Sequence, residues 1–199
     1  MCWIYFLKFK YEVAIIFWRF KAWIENQFGC KIQVLRSDNG KEYILDQFNS
    51  LCEETGIEHQ LTTPYTPQKN GVNERKNRTI MEMATSMMHE KELPKKFWAK
   101  ATNMTMFLLN RLPTKAVLGK TPYEAWYGYK PFVQNFKFFG CICFTYVPKV
   151  KRDKPDKRTE ARIFIGYSTP LKAYRFCQPQ TGNILISRDV PFVEDKQWS

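Results

Sequence analysis

The chain has 199 residues, 44% of them hydrophobic, which is enough to bury a core and excludes an intrinsically disordered polymer. Its formal net charge of +12 points to a polyanionic partner, nucleic acid first and an anionic membrane surface second. No apolar run reaches the length of a membrane span, and Met1-Cys2-Trp3-Ile4-Tyr5-Phe6-Leu7 is too short for a signal peptide and lacks a small-residue cleavage site.

Taken in chain order, Cys2 to Lys8 is β-branched and aromatic enough for a strand. A helix is predicted from Glu12 to Phe28, with Val13, Ile16, Phe17, Phe20, Trp23 and Ile24 at helical spacing and Gly29 as its stop. Lys31 to Arg36 reads as a second strand, ending in the turn signal Asp38-Asn39-Gly40. A short helix follows from Asp46 to Thr55, closed by Gly56, and then a short strand from Ile57 to Leu61. Thr62 to Val72 is rich in Thr, Pro, Asn and Gly and reads as an irregular loop. A long helix is expected from Asn73 and another from Lys95 to Arg111, ended by Pro113. Strands alternating with helices argue an α/β layer. The aromatic, turn-rich stretch from Lys120 to Pro131 reads as a connector. Beyond it Phe138 to Val147, Arg162 to Tyr167, Ala173 to Cys177 and Ile184 to Arg188 are strand-like runs between Pro, Gly and charged turns, which suggests a small β-barrel.

Six cysteines occur without a C-x-x-C pair, and there are two histidines, so a Cys/His zinc site is not expected. Cys141 and Cys143 would face one side of a strand. The plain reading is reduced, mostly buried thiols in an intracellular protein.

Two carboxylates stand out. Asp38 follows a predicted strand, and Glu74 opens a predicted helix. At about 100° per residue, Ile80, Met81, Ala84, Met87 and Met88 form one stripe of that helix, with Glu74 at its edge. Glu74 would then point toward the sheet at the rim of the buried face, and Asp38 at its strand end can approach the same rim. Each has a bland alternative: Asp38 in an ordinary turn, Glu74 paired with Arg78 one helical turn on. Paired carboxylates are also what a two-metal phosphoryl-transfer site uses, because Mg²⁺ prefers oxygen ligands and two ions about 4 Å apart clamp an in-line displacement. Lys69, Arg75, Lys76 and Arg78 flank Glu74 and would neutralise phosphates there; a solvated helix face explains them equally well. The basic run from Lys149 to Arg158 is open to the same two readings, or to nuclear import.

Longer motifs resemble a known family. Arg36-Ser37-Asp38-Asn39-Gly40 with Glu42-Tyr43, and Pro64-Tyr65-Thr66-Pro67-Gln68 through Asn70-Gly71-Val72, Glu74-Arg75 and Asn77-Arg78-Thr79, are similar to the integrase of copia-type retrotransposon Pol polyproteins. Trp3-Ile4-Tyr5-Phe6-Leu7, Gly119-Lys120-Thr121-Pro122-Tyr123-Glu124, Phe139-Gly140-Cys141, Ile165-Gly166-Tyr167 and Ser187-Arg188-Asp189-Val190 extend the resemblance over essentially the whole chain. It implies an α/β fold, in which a ribonuclease H-like integrase core missing its first strand is followed by a small Src-homology-3-like β-barrel. The implied boundaries are 1–115 for the core, 116–135 for a connector and 136–199 for the barrel.

The resemblance further implies Asp38 and Glu74 as catalytic, metal-binding residues, Mg²⁺ or Mn²⁺ as cofactor, and element and target DNA as substrates, with Lys69, Arg75, Lys76 and Arg78 on the DNA. It also implies other integrase subunits as partners, no membrane, and a nuclear site of action. The family's first catalytic aspartate falls upstream of Trp3, so these residues alone are expected to be inactive. A non-catalytic remnant that binds nucleic acid or another subunit is the second reading.

Overall fold

The computed structural model describes residues 1–38, 40, 43, 46–62, 67–146 and 159–194, without the side chains of 46, 47 and 67–70. These residues fall into two compact units, one formed by Tyr5–Asn77 and the other by Met1–Ile4 with Arg78–Ser199.

In the unit Tyr5–Asn77, a 3-10 turn at Lys10–Glu12 leads into α1, Val13–Phe28. The Glu12 carboxylate accepts from the backbone N–H of Lys8 at 2.8 Å and of Phe9 at 3.3 Å, satisfying donors that a helix start leaves free. Gly29 ends α1 at φ 64°, where its N–H donates to Glu25 O at 2.9 Å. Only a glycine takes that left-handed position without strain. Glu25 then turns back, accepting from Ile32 N at 2.9 Å and from Lys21 Nζ at 2.7 Å, so the helix end steers the chain into the next strand. That strand is β1, Val34–Ser37; after α2, Asp46–Thr55, comes β2, Glu58–Leu61. The two strands pair in parallel, Ser37 opposite Leu61. Phe48 is fully buried beneath them and meets the rings of Phe17, Tyr43 and His59 at 5.3–5.5 Å.

Three expectations are corrected here. The segment Cys2–Lys8 is not a strand. Its first residues lie instead in the other unit, where buried Asn110 accepts from Cys2 N at 2.9 Å and donates to Cys2 O at 2.7 Å. A side-chain amide thus takes both backbone partners that a neighbouring strand would supply. The expected loop Thr62–Val72 is helical from Pro67, because proline is well suited to a first helical turn. The helix α3, Pro67–Glu90, therefore begins before Asn73; residues 63–66 lie outside the described residues.

In the second unit, α4, Trp98–Arg111, follows a 3-10 turn at Lys95–Phe97, and α5, Pro122–Tyr127, is capped by Thr121, whose Oγ1 accepts from Glu124 N at 3.0 Å. Then come β3, Ile142–Tyr146, β4, Thr159–Ser168, β5, Ala173–Cys177, β6, Ile184–Ser187, and β7, Phe192–Val193. They form one antiparallel sheet in the order β6-β5-β4-β3-β7. This is the expected barrel-like element, with β7 added as an edge. Ile163, Phe164, Phe176, Cys141 and Cys143 are fully buried in its core, and Ala84 of α3 and Phe97, Ala101 and Met104 of the α4 region belong to the same cluster. The expected boundary at residue 115 lies inside this unit. Cys141 and Cys143 do share one buried face; burial pushes their thiols up to about 11 and about 12, which makes them inert.

Gly140 sits where the chain enters β3, at φ 83°, and a Cβ there would lie 2.8 Å from Leu93 Cδ1 and 2.9 Å from Lys91 Cβ. Gly140→Ala is expected to lower unfolding stability by at least about 1–2 kcal/mol, read as a shift in urea midpoint at constant slope; an unchanged midpoint would contradict this close approach. Because helices and sheet share one core, a polypeptide of residues 136–199 is expected to lose cooperative melting, whereas one extended back to Arg78 retains it, as calorimetry of the two would show.

Candidate functional site

Asp38 stands at the carboxyl end of β1, the end at which open parallel α/β sheets bind ligands. Its support is built from the two strands. Ser37 is buried, and its Oγ lies 2.8 Å from His59 Nε2 and 3.1 Å from Asp38 O. With the serine proton directed at Asp38 O, the imidazole donates from Nε2. Thr62 N donates to Ser37 O at 3.0 Å, continuing the parallel ladder past β2. Asp38 itself is exposed, and its Oδ1 accepts from Gly40 N at 3.2 Å, a side-chain turn that orients the carboxylate. Asn39 between them lies outside the described residues.

His59 leans on the Phe48 ring at 5.3 Å, and burial holds its pKa below the ordinary 6.5. The Ser37–His59 link joins residues twenty-two apart and has no local signature in the sequence. The only signal for it was that β1 and β2 had to lie side by side, which a sequence reading of separate strands does not supply.

Glu74 lies about two turns inside α3 and is exposed, so it neither opens the helix nor points into a buried rim, as the sequence had suggested. The stripe is correct at Ile80 and Ala84, which are buried, but Met81 is 44% exposed. Glu74 makes no ion pair with Arg78 among the described residues. Arg75 and Arg78 are exposed and Lys76 is half-buried, so the helix face that carries them is solvated at the two arginines and only partly so at Lys76. The side chain of Lys69 and the whole run from Lys149 to Arg158 lie outside the described residues.

Carboxylate oxygens reachable from solvent match the ligand preference of Mg²⁺ or Mn²⁺. Their number does not complete a site: no group of three His, Cys, Asp or Glu side chains that could hold a metal occurs among the described residues. What the arrangement shows is a fixed, exposed carboxylate at a strand end and, on α3, a second carboxylate among cations.

Comparison with known proteins decides the family. A family model described as integrase core domain matches residues 1–67, and one described as retroviral polymerase SH3-like domain matches residues 141–199. The retrovirus-related Pol polyprotein from transposon TNT 1-94 of Nicotiana tabacum is 41% identical over 98% of this chain and 15% of its own length. The chain belongs to the copia-type retrotransposon Pol family. The Pol polyprotein from transposon RE2 of Arabidopsis thaliana is 35% identical over 96% of this chain and 13% of its own length, so this retrotransposon Pol chain spans about a seventh of such relatives. Among solved structures, the catalytic core domain of BIV integrase aligns with 62% of this chain and 74% of that chain, at 24% identity and a TM-score of 0.44. Within the Pol chain, Asp38 falls inside the integrase-core match, while Glu74 falls just beyond it.

The depressed His59 pKa gives a signed prediction. The folded state favours the neutral imidazole, so its contribution is complete above pH 6.5 and is lost as pH falls through the lower folded value. His59 is therefore expected to titrate below 6.5 in an NMR titration, where only His89 competes for assignment. His59→Gln should flatten the acid side of the stability profile between about pH 7 and 5. A His59 pKa at or above the ordinary value would refute the buried-imidazole account.

Proposed function

We propose that the chain is a working segment of an integrase, one that joins element DNA to target DNA with Asp38 and Glu74 as ligands of Mg²⁺ or Mn²⁺. The observation that carries the proposal is the placement of Asp38. It lies inside the integrase-core match and stands exposed at a strand end, fixed by its own turn and by the Ser37–His59 link. Rigid support beneath an exposed carboxylate is what a phosphoryl-transfer ligand requires. A surface turn without function needs no buried serine–imidazole pair below it. The ion's part is to neutralise and align phosphate oxygens; the chain's own part is to hold the carboxylates and to neutralise neighbouring phosphates with Lys69, Arg75, Lys76 and Arg78. DNA and further integrase subunits are the proposed partners, the nucleus the proposed site of action, and 1–115, 116–135 and 136–199 the proposed core, connector and barrel.

A non-catalytic remnant that binds nucleic acid or another subunit is the alternative, favoured by the lack of a third donor among the described residues. An integrase that contains these residues separates the two when assayed for strand transfer with element-end oligonucleotides in Mg²⁺ and Mn²⁺. Under the first reading Asp38→Asn and Glu74→Gln each reduce product on the order of 1,000-fold or more and leave DNA binding intact. Salt-dependent binding with no metal-dependent product even in the unmutated protein would establish the remnant. For the 199-residue polypeptide alone, the proposal is that strand transfer stays at background while DNA binding weakens steeply with salt, with a log–log slope of about −0.9 per phosphate contacted. An affinity that barely changes with salt would exclude phosphate-dominated binding.

A further inference from the structure

Arg111 is the last residue of α4, in the unit that contains neither Asp38 nor Glu74. Its guanidinium carbon is 3.6 Å from the centroid of the Phe107 ring and 4.6 Å from that of Tyr123. A guanidinium laid against rings spends its faces on them and keeps its N–H donors at the edge. One donor is accounted for: Nη1 donates to Phe107 O at 3.1 Å, closing the last helical turn. No carboxylate pairs with Arg111 among the described residues. The groups that act on its charge are the phenols of Tyr123, Tyr127, Tyr129 and Tyr167, and burial is the main cause that depresses its pKa. A half-buried cation with spare donors and no counter-charge is an unfinished anion site.

The surroundings are built rather than loose. Phe107 stacks on Tyr167, centroids 4.4 Å apart and planes 20° apart, and the Tyr167 hydroxyl accepts from Lys137 N at 2.7 Å. The Tyr123 and Tyr129 hydroxyls lie 3.0 Å apart, and Tyr129 is 59% exposed. The guanidinium edge offers a fork for two acceptor oxygens, the hydroxyl pair offers a further donor, and the exposed Tyr129 ring, held at 83° to the Tyr123 ring, offers a surface for stacking.

We propose that Arg111 and the Tyr123–Tyr129 hydroxyl pair bind a phosphodiester of single-stranded nucleic acid, with an adjoining unstacked base on Tyr129. The proposal rests on the reading that the chain handles nucleic acid, and it adds a contact at the end of α4 and in the stretch that follows it. A carboxylate of an acidic peptide would also fit the fork. It would leave the exposed ring unused, whereas a nucleotide uses both, and the chain's charge of +12 suits a polyphosphate.

The test uses the whole chain and a fluorescein-labelled single-stranded 12-mer, titrated at several salt concentrations. Arg111→Gln is expected to weaken binding about tenfold and to reduce the log–log salt slope by about 0.7, one phosphate on a single strand. Arg111→Lys keeps the charge but loses the fork, and should weaken binding several-fold at a nearly unchanged slope. Tyr129→Ala should weaken binding without altering the slope, an effect that a purely structural Arg111 would not produce. Folded Arg111→Gln and Tyr129→Ala variants that bind like the unmutated chain overturn the site. If Arg111→Gln does not fold, ¹⁵N resonances of the Arg111 guanidinium in the unmutated chain decide instead: a shift on adding the 12-mer supports the site and no shift overturns it. A shift with polyglutamate but not with the 12-mer assigns the fork to an acidic peptide and also overturns it. Loss of this site while the unmutated chain still binds DNA leaves the integrase reading standing; absence of any nucleic-acid binding removes both.

Discussion

A β-sheet carrying Ile163, Phe164 and Phe176 on its strands cannot leave those side chains in water, and the larger unit is organised by that requirement. Phe164 is fully buried and meets the rings of Tyr167, Tyr174, Phe176 and Phe192 at 5.2–6.2 Å. Aromatic pairs at such distances prefer edge-on geometry to a face-to-face sandwich; three of these four are edge-on at 74–80° and the fourth is tilted at 57°. One open sheet cannot cover its own apolar face. Phe97, Ala101 and Met104 supply the rest, which is why the α4 region belongs to the sheet's core. Gly140 follows from the same packing. The chain can enter β3 against Leu93 and Lys91 only where no side chain intervenes.

The small unit meets a different constraint. Two parallel strands of four residues bury little by themselves, so Phe48 and Cys52 of α2, Phe17 of α1 and Ile57 supply the core below them. What emerges at the strand end is polar and fixed. Ser37 and His59 satisfy one another across the sheet, and Asp38 is left to solvent. Exposure suits the metal-ligand role proposed for Asp38, because a buried carboxylate would be pushed toward its neutral form.

The chain's charge suits the proposed polyanionic partner. With 31 Lys and Arg against 19 Asp and Glu, the chain repels itself unless its surface charge is shared with counterions or phosphates. Exposed cations such as Arg75 and Arg78 contribute diffuse attraction, which salt weakens. Arg111 differs in kind. It is already partly stripped of water and held against rings, so an acceptor there meets a preorganised fork.

Local signals in the sequence determined much of this. Gly29 and Gly56 mark helix ends at φ 64° and 67°, and the predicted helix ending at Phe28 and the helix Asp46–Thr55 end there. Ala173–Cys177 and the start of β6 at Ile184 follow from alternation between turns. The motifs around Asp38 and Glu74 determined the family, since they depend on residue order alone. Tertiary structure decided the rest. Cys2–Lys8 has strand composition yet is not a strand, because a strand exists only with a hydrogen-bonded neighbour and Asn110 takes that place at Cys2. Pro67 begins α3 earlier than its Asn- and Gly-rich surroundings suggest, and that alone moves Glu74 from a helix start to its exposed interior. The pairing of Ser37 with His59 and the gathering of Tyr123, Tyr129 and Tyr167 near Arg111 join residues far apart in the chain. Periodicity reports which face of an element is apolar; it carries no record of what that face meets, because contact is a property of the folded chain and not of its order.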